Sequence, residues 1–208
     1  MLRAGPYSET ARKLVHMAFG AAALLLRYID WWQAVVFMAA ALAFNILLLR
    51  GLSGSRLHRP RELTQALPPG LVLYPASLLF LLLVFPARPD IVAAAWGILA
   101  IGDGAATLVG RRIAGRHWPW NSEKTIAGSL ALVLAGGAAG AFLAWWCRPA
   151  VVPPPAAWFS VAAPFAAALG AALAETVRWE LDDNVSVPLT AAAVLWILSF
   201  LSVAGTGT

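Results

Sequence analysis

Seven apolar runs, each about as long as a helix must be to cross a bilayer, constrain this chain more than any other feature. They lie at Leu14–Ile29, Trp31–Leu49, Gly70–Phe85, Ile91–Gly110, Thr125–Trp146, Ala156–Val177 and Ser186–Ala204. In hydrocarbon every backbone N–H and C=O must be satisfied internally, and runs of this length achieve that as helices. Only 12% of the residues are charged and 61% are hydrophobic, roughly half the charge of a soluble domain. The expected fold is therefore all-α, a polytopic membrane protein of about seven transmembrane helices. Residues 1–208 then form one helical domain, because too little chain separates the runs for a soluble one. The first run follows Arg12 and Lys13 in the manner of a signal peptide, but no small-residue cleavage site follows, so it reads as a retained helix.

Charge sets the expected orientation. All but three of the 15 Lys and Arg residues fall on one side of such a topology. That side holds Arg3, Arg12 and Lys13, then Arg50, Arg56, Arg59 and Arg61, then Arg111, Arg112, Arg116 and Lys124, and finally Arg178. Arg27, Arg88 and Arg148 lie opposite. The positive-inside rule then places the N-terminus in the cytoplasm and the C-terminus outside, an arrangement an even number of spans would break. The expected location is the plasma membrane of a prokaryote. The same rule accounts for the net charge of +5 without a nucleic-acid partner. A single cysteine, Cys147, excludes an intrachain disulfide.

Ionisable residues in or beside a span cost about 2.5–3.5 kcal/mol each at the bilayer centre, so they mark function by default. Three clusters carry that cost on the predicted cytoplasmic side. Glu9, Arg12, Lys13 and His16 share one helical face; the cations can hold phosphate oxygens and His16 can shuttle a proton, although Arg12 and Lys13 also suit simple anchoring. In the second cluster Asp103, Thr107 and Gly110 follow i, i+4, i+7. Asp103 can bind a divalent cation, and Gly104 and Gly110 permit backbone approach to phosphate. Arg111 closes this stretch, and Asn121 to Ser129 continues it. There Lys124 can neutralise phosphate charge, and Thr125 and Ser129 add hydroxyls near a helix start that contains Gly128. Gly102, Ala106 and Gly110 also form a small-residue packing stripe, which explains the glycines but not Asp103; Gly136 and Gly140 read as packing alone. The third cluster joins Glu175, Asp182, Asp183 and Asn184, an oxygen-rich junction suited to a divalent cation. Helix capping would account for Asp182 there but not for Glu175, which lies inside an apolar run.

Other signals are absent. No phosphate-binding loop of G-x-x-x-x-G-K-[ST] type occurs, and Gly102-x-Gly104 lacks the rest of a dinucleotide fingerprint. His58 and His117 have no partners at metal-ligand spacing and read as solvated loop residues. Most of the ten tryptophans, including Trp31, Trp32, Trp118, Trp120, Trp145, Trp146 and Trp158, fall near span ends as an interfacial belt.

Taken in order, Ala11-Arg12-Lys13-Leu14-Val15-His16, Gly102-Asp103-Gly104-Ala105-Ala106 through Gly110-Arg111, Glu123-Lys124-Thr125 with Gly128-Ser129, and Glu175 with Asp183-Asn184-Val185-Ser186-Val187-Pro188 resemble the phytol kinase and dolichol kinase family. The resemblance runs from the first span to the last. It implies a CTP-dependent kinase that works with Mg2+ or another divalent cation on a lipid alcohol: phytol, another prenol, a polyprenol or diacylglycerol. Arg12, Lys13, Asp103, Gly110, Lys124 and Asp183 are the positions carried over first. By that analogy Asp103 with Asp183 or Glu175 holds the metal, Arg12, Lys13 and Lys124 hold phosphates, and the base is Asp183, Glu175 or His16. The nucleotide set extends to Gly104, Thr107, Arg111, Thr125, Gly128, Ser129 and Asn184. Phosphatidate cytidylyltransferases share parts of the pattern but end in H-G-G-x-x-D-R, where this chain has Asp183 to Pro188. A transporter would more often place its charges at mid-bilayer within inverted repeats, and no such repeat is visible.

Overall fold

Helices account for nearly all of the computed structural model, which describes residues 9–49, 69–113, 115–178 and 181–204. Helix α1 (Glu9–Phe19) continues as a 3-10 stretch over Gly20–Arg27. Helix α2 (Trp31–Phe44) ends in a wide turn, Asn45–Leu49. Then follow α3 (Pro69–Val84), α4 (Pro89–Arg112), α5 (Ile126–Ala150), α6 (Ala157–Thr176) and α7 (Asp183–Ala204). The basic Arg50–Pro69 connection with Arg50, Arg56, Arg59, Arg61 and His58 lies outside the described residues but for Pro69, as do Arg3 and the Glu9 side chain.

Four helices, α4 to α7, are long and apolar enough to cross a membrane by length and composition; α2 and α3 offer shorter apolar stretches. The molecule is an all-α membrane protein. The connection between α4 and α5 holds a small antiparallel hairpin in which β1 (His117–Trp118) pairs with β2 (Asn121–Thr125). No alternating apolar pattern announces strands this short.

Contacts at the helix ends give the directions. The Trp31 indole of α2 donates to Leu82 O of α3, while Asn45 at the other end of α2 donates to Leu71 O. Asn184, at the start of α7, donates to Gly70 O near the start of α3. Trp146, late in α5, donates to Leu24 O, late in the first helical run. Helices α2 and α3 therefore run antiparallel, α7 starts beside the start of α3, and the first helical run and α5 end together.

Helix α4 is the axis. Its apolar window is 72% buried, against 33–44% for α5 to α7. Pro89 sits in its first turn, where the missing N–H costs nothing, and the buried Asp90 receives two bonds from Arg88 at 2.9 and 2.8 Å. Around it, Leu130, Leu134, Leu169, Leu173, Ile197, Phe200 and Leu201 turn outward. Such a surface is a liability in water and fits hydrocarbon. Trp96 departs from the expected tryptophan belt: it is buried in the core and donates to Tyr74 Oη at 2.8 Å.

Two wide-turn stretches face each other across the α4–α5 contact, Ile98–Asp103 and Leu132–Gly136. Such turns leave part of the helical ladder loosened and often occur at functional sites. Close approach here depends on glycine: a Cβ at Gly102 would meet Gly136 Cα at 3.0 Å. Gly140 similarly admits Ile98 and Pro164, as its reading as a packing residue requires. The crossing brings Asp103, at the end of one wide turn, to the rim of a cavity.

Candidate active site

The ends of α1, α4, α6 and α7 and strand β2 converge on a cavity of about 430 Å³. Three of the carboxylates in its wall cluster together: Asp103 from α4, Glu175 from the last turn of α6 and Asp183 from the first turn of α7. One oxygen from each lies within 4.8 Å of the others. Asp103 and Glu175 are buried, whereas the Asp183 side chain is 39% exposed. Uncompensated, three such charges would repel one another strongly in a low dielectric.

Two lysines compensate them. Lys13 of α1 donates to Asp103 Oδ2. Lys124 of β2 donates to Glu175 Oε1 at 3.0 Å and to Asp183 Oδ2 at 2.9 Å. Burial alone would lower the pKa of the Lys124 ammonium, but the Glu175 and Asp183 carboxylates outweigh it and hold the group above the usual lysine range. Lys124 is therefore a fixed cation at neutral pH, aimed into the cavity from the strand.

Local structure places these groups. Thr125 caps α5 by accepting from Gly128 N at 3.0 Å, which fixes the exit of β2 one residue after Lys124. Asn121 ties the hairpin to α6 by donating to Thr176 O at 3.2 Å. Gly128 packs where a Cβ would meet Ala106 O at 3.0 Å, and Gly110 where one would meet Thr125 Oγ1 at 2.9 Å. Ala106 and Gly110 of the α4 stripe thus line the cavity as well as forming a packing seam.

Of the sequence-predicted residues, Lys13, Asp103, Thr107, Gly110, Arg111, Lys124, Thr125, Gly128, Ser129, Glu175 and Asp183 line this cavity. Four do not. Arg12 is buried within α1. Gly104 serves a close approach, since a Cβ there would meet Met17 at 2.6 Å. His16 reaches Asp103 at 3.7 Å and Leu99 O at 3.4 Å, with its ring 4.1 Å from that of Tyr74. Asn184 is buried and donates to Asp182 Oδ1 at 2.7 Å. Among the lining residues, Ser129 also accepts a bond from the Trp118 indole at 2.9 Å.

Two lining residues carry no role in the sequence reading. His117, read as a solvated loop residue, lines the cavity, as does Glu123. Both lie on the hairpin, and His117 stands opposite Thr125. The signal lay only in their nearness to Lys124, which spacing rules for helices do not weigh.

Three relatives bear on this arrangement. The chain is 31% identical to "Phytol kinase" of Synechocystis sp. (strain ATCC 27184 / PCC 6803 / Kazusa), over 93% of this chain and 81% of that protein. It is 32% identical to "Probable phytol kinase 2, chloroplastic" of Oryza sativa subsp. japonica, over 88% of this chain and 64% of the relative. "Farnesol kinase, chloroplastic" of Arabidopsis thaliana is 27% identical, over 90% and 64% respectively. The chain thus spans less than two thirds of the length of these two plant proteins. No family model and no solved structure matches it.

Proposed function

The chain belongs to the phytol kinase family, and from that premise we propose that it is a CTP-dependent lipid-alcohol kinase. The γ-phosphoryl group passes to an isoprenoid alcohol such as phytol, a shorter prenol or a polyprenol. Diacylglycerol is less favoured, because the relatives are named for phytol and farnesol. One observation carries the reading: three carboxylates and two lysines meet in one cavity at the helix ends. That combination suits polyphosphate and a hard cation, while the surrounding apolar surface suits a lipid tail.

The donor set fits a divalent cation, since it is all oxygen, anionic and compact. Asp103 and Glu175 would hold Mg2+, and the bound ion would neutralise charge on the β- and γ-phosphate oxygens. The rest of the work is positioning. Lys13 and Lys124 hold phosphate oxygens by charge-assisted bonds. The Thr125 cap sets the start of α5 beside the cavity, where its first turn can face the nucleotide phosphates. The acceptor hydroxyl attacks the γ-phosphorus, the bond to the β,γ-bridging oxygen breaks, and CDP leaves. Of the candidate bases, Asp183 is the accessible one: its side chain is 39% exposed, against 4% for Glu175 and 9% for His16. It takes the hydroxyl proton. His16 then acts through Asp103 rather than on substrate.

The site belongs to the cytoplasmic side of a prokaryotic plasma membrane. Arg12, Lys13, Arg111, Arg112, Arg116, Lys124 and Arg178 gather at this end of the helices, and Arg27, Arg88 and Arg148 at the other. Seven crossings with residues 1–208 as one domain complete the topology. Reporter fusions at the two termini should report different compartments, the N-terminal one cytoplasmic; the same compartment at both ends contradicts seven crossings.

The function is tested by supplying the purified chain in lipid with CTP, Mg2+ and a panel of prenols, polyprenols and diacylglycerol. A prenyl monophosphate is the expected product. A panel left unphosphorylated contradicts the reading.

A further inference from the structure

Lys124 bridges Glu175, a cation ligand in the kinase reading, and Asp183, its base, while Asp103, the other ligand, is bonded to Lys13. The oxygens that suit a cation are thus already facing ammonium groups of the chain itself. We infer that Lys124 is a tethered counter-ion of the Glu175–Asp183 pair, which an entering divalent cation displaces and the nucleotide phosphates then capture. This deepens the kinase reading and rests on it for the identity of the phosphate ligand.

Charge and geometry both require the exchange. A divalent cation on Glu175 oxygen and the Lys124 ammonium at 3.0 Å from the same carboxylate would repel each other at close range. Lys124 can leave, because it stands on a two-stranded hairpin rather than a packed helix, and its side chain is 28% exposed. Its stem reaches the cavity, which is large enough to receive a polyphosphate beside it. Lys13 is held differently: it is 5% exposed on α1 and bonded to one carboxylate. The exchange is therefore assigned to Lys124. Moving its charge from carboxylates to phosphates couples the two ligands. The cation frees the lysine for nucleotide, and the nucleotide draws the lysine from the cation site, so each raises affinity for the other.

The test needs no turnover. In the wild-type chain reconstituted in neutral lipid, Mn2+ binding is followed by the loss of the free-ion electron paramagnetic resonance signal. Lys124 acetylation by a limiting amine reagent is measured by mass spectrometry. Mn2+ is expected to raise Lys124 labelling several-fold, and adding a non-hydrolysable CTP analogue is expected to lower it again. Lys124→Met should bind Mn2+ alone at least about tenfold more tightly than wild type, because the competing cation is gone. If that variant fails to fold, the wild-type labelling still decides. Bound Mn2+ with unchanged Lys124 labelling, or a folded Lys124→Met with unchanged Mn2+ affinity, overturns the exchange. Labelling that rises with Mn2+ but is not lowered by the analogue removes phosphate capture and overturns the coupling, with displacement by the cation left standing. No Mn2+ bound to wild type or variant overturns both the inference and the cation site of the kinase reading.

Discussion

Asp103→Asn is expected to abolish phosphoryl transfer while leaving a folded, membrane-inserted protein. The substitution keeps the shape of the side chain and an oxygen that can still accept from Lys13, but removes the negative charge from the carboxylate set. Losing charge stabilisation at a reacting phosphate costs about 10³-fold in turnover or more. Turnover with CTP and a prenol, measured beside the thermal midpoint in detergent, checks it. Thr107→Val lines the same cavity but removes only a hydroxyl that water can replace, so its loss should be far smaller. Asp103→Asn with substantial activity removes Asp103 from the cation site.

The second large effect is structural. Gly136→Val is expected to destabilise the protein and to lower activity with it. A Cβ at Gly136 would meet Gly102 Cα at 3.0 Å, Ile98 O at 3.4 Å and Ile98 Cα at 3.5 Å. All three are backbone atoms of the wide turn that ends at Asp103, so no side chain can rotate away. Overpacking of this kind costs about 1–3 kcal/mol, and here it pushes α5 off the turn that presents the carboxylate. A lower thermal midpoint and reduced turnover are the readouts. Gly115→Ala is the control, since the nearest atom to its added Cβ would be Ile113 O at 3.7 Å. Equal stability of Gly136→Val and wild type would mean that the α4–α5 approach is not tight.

This glycine crossing shows what could and could not be read from sequence. Small residues at Gly102, Ala106, Gly110, Gly136 and Gly140 announced packing, because close helix approach in a membrane needs them. Of these, Ala106 and Gly110 also line the cavity, and the wide turns at Ile98–Asp103 and Leu132–Gly136 have no residue signature. The carboxylates and lysines stood out because charge in an apolar run is costly. Their pairing did not: Lys13 and Asp103 are 90 residues apart, and Lys124 and Asp183 are 59 apart. Such pairs depend on which helix ends meet, and periodicity within one helix carries no information about that. The hairpin was missed for a related reason. Two paired residues in β1 offer no alternation to detect, so His117 appeared partnerless although the fold sets it beside Lys124 on the cavity wall. Asn184 shows the reverse: an amide that looked free for a ligand donates to Asp182.

In the proposed reaction the γ-phosphoryl group of CTP passes to a lipid hydroxyl at this site. Phosphatidate cytidylyltransferases share parts of the sequence pattern, and for them CTP and a cation would also be needed, so binding alone does not separate the two reactions. The position attacked does. CTP labelled separately at the α and γ phosphates is supplied to the purified chain with a mixture of prenols, diacylglycerol and phosphatidate. The expected result is γ label in the prenol monophosphate, CDP released and no α label in lipid. Alpha label in lipid, with phosphatidate consumed and pyrophosphate formed, would contradict it.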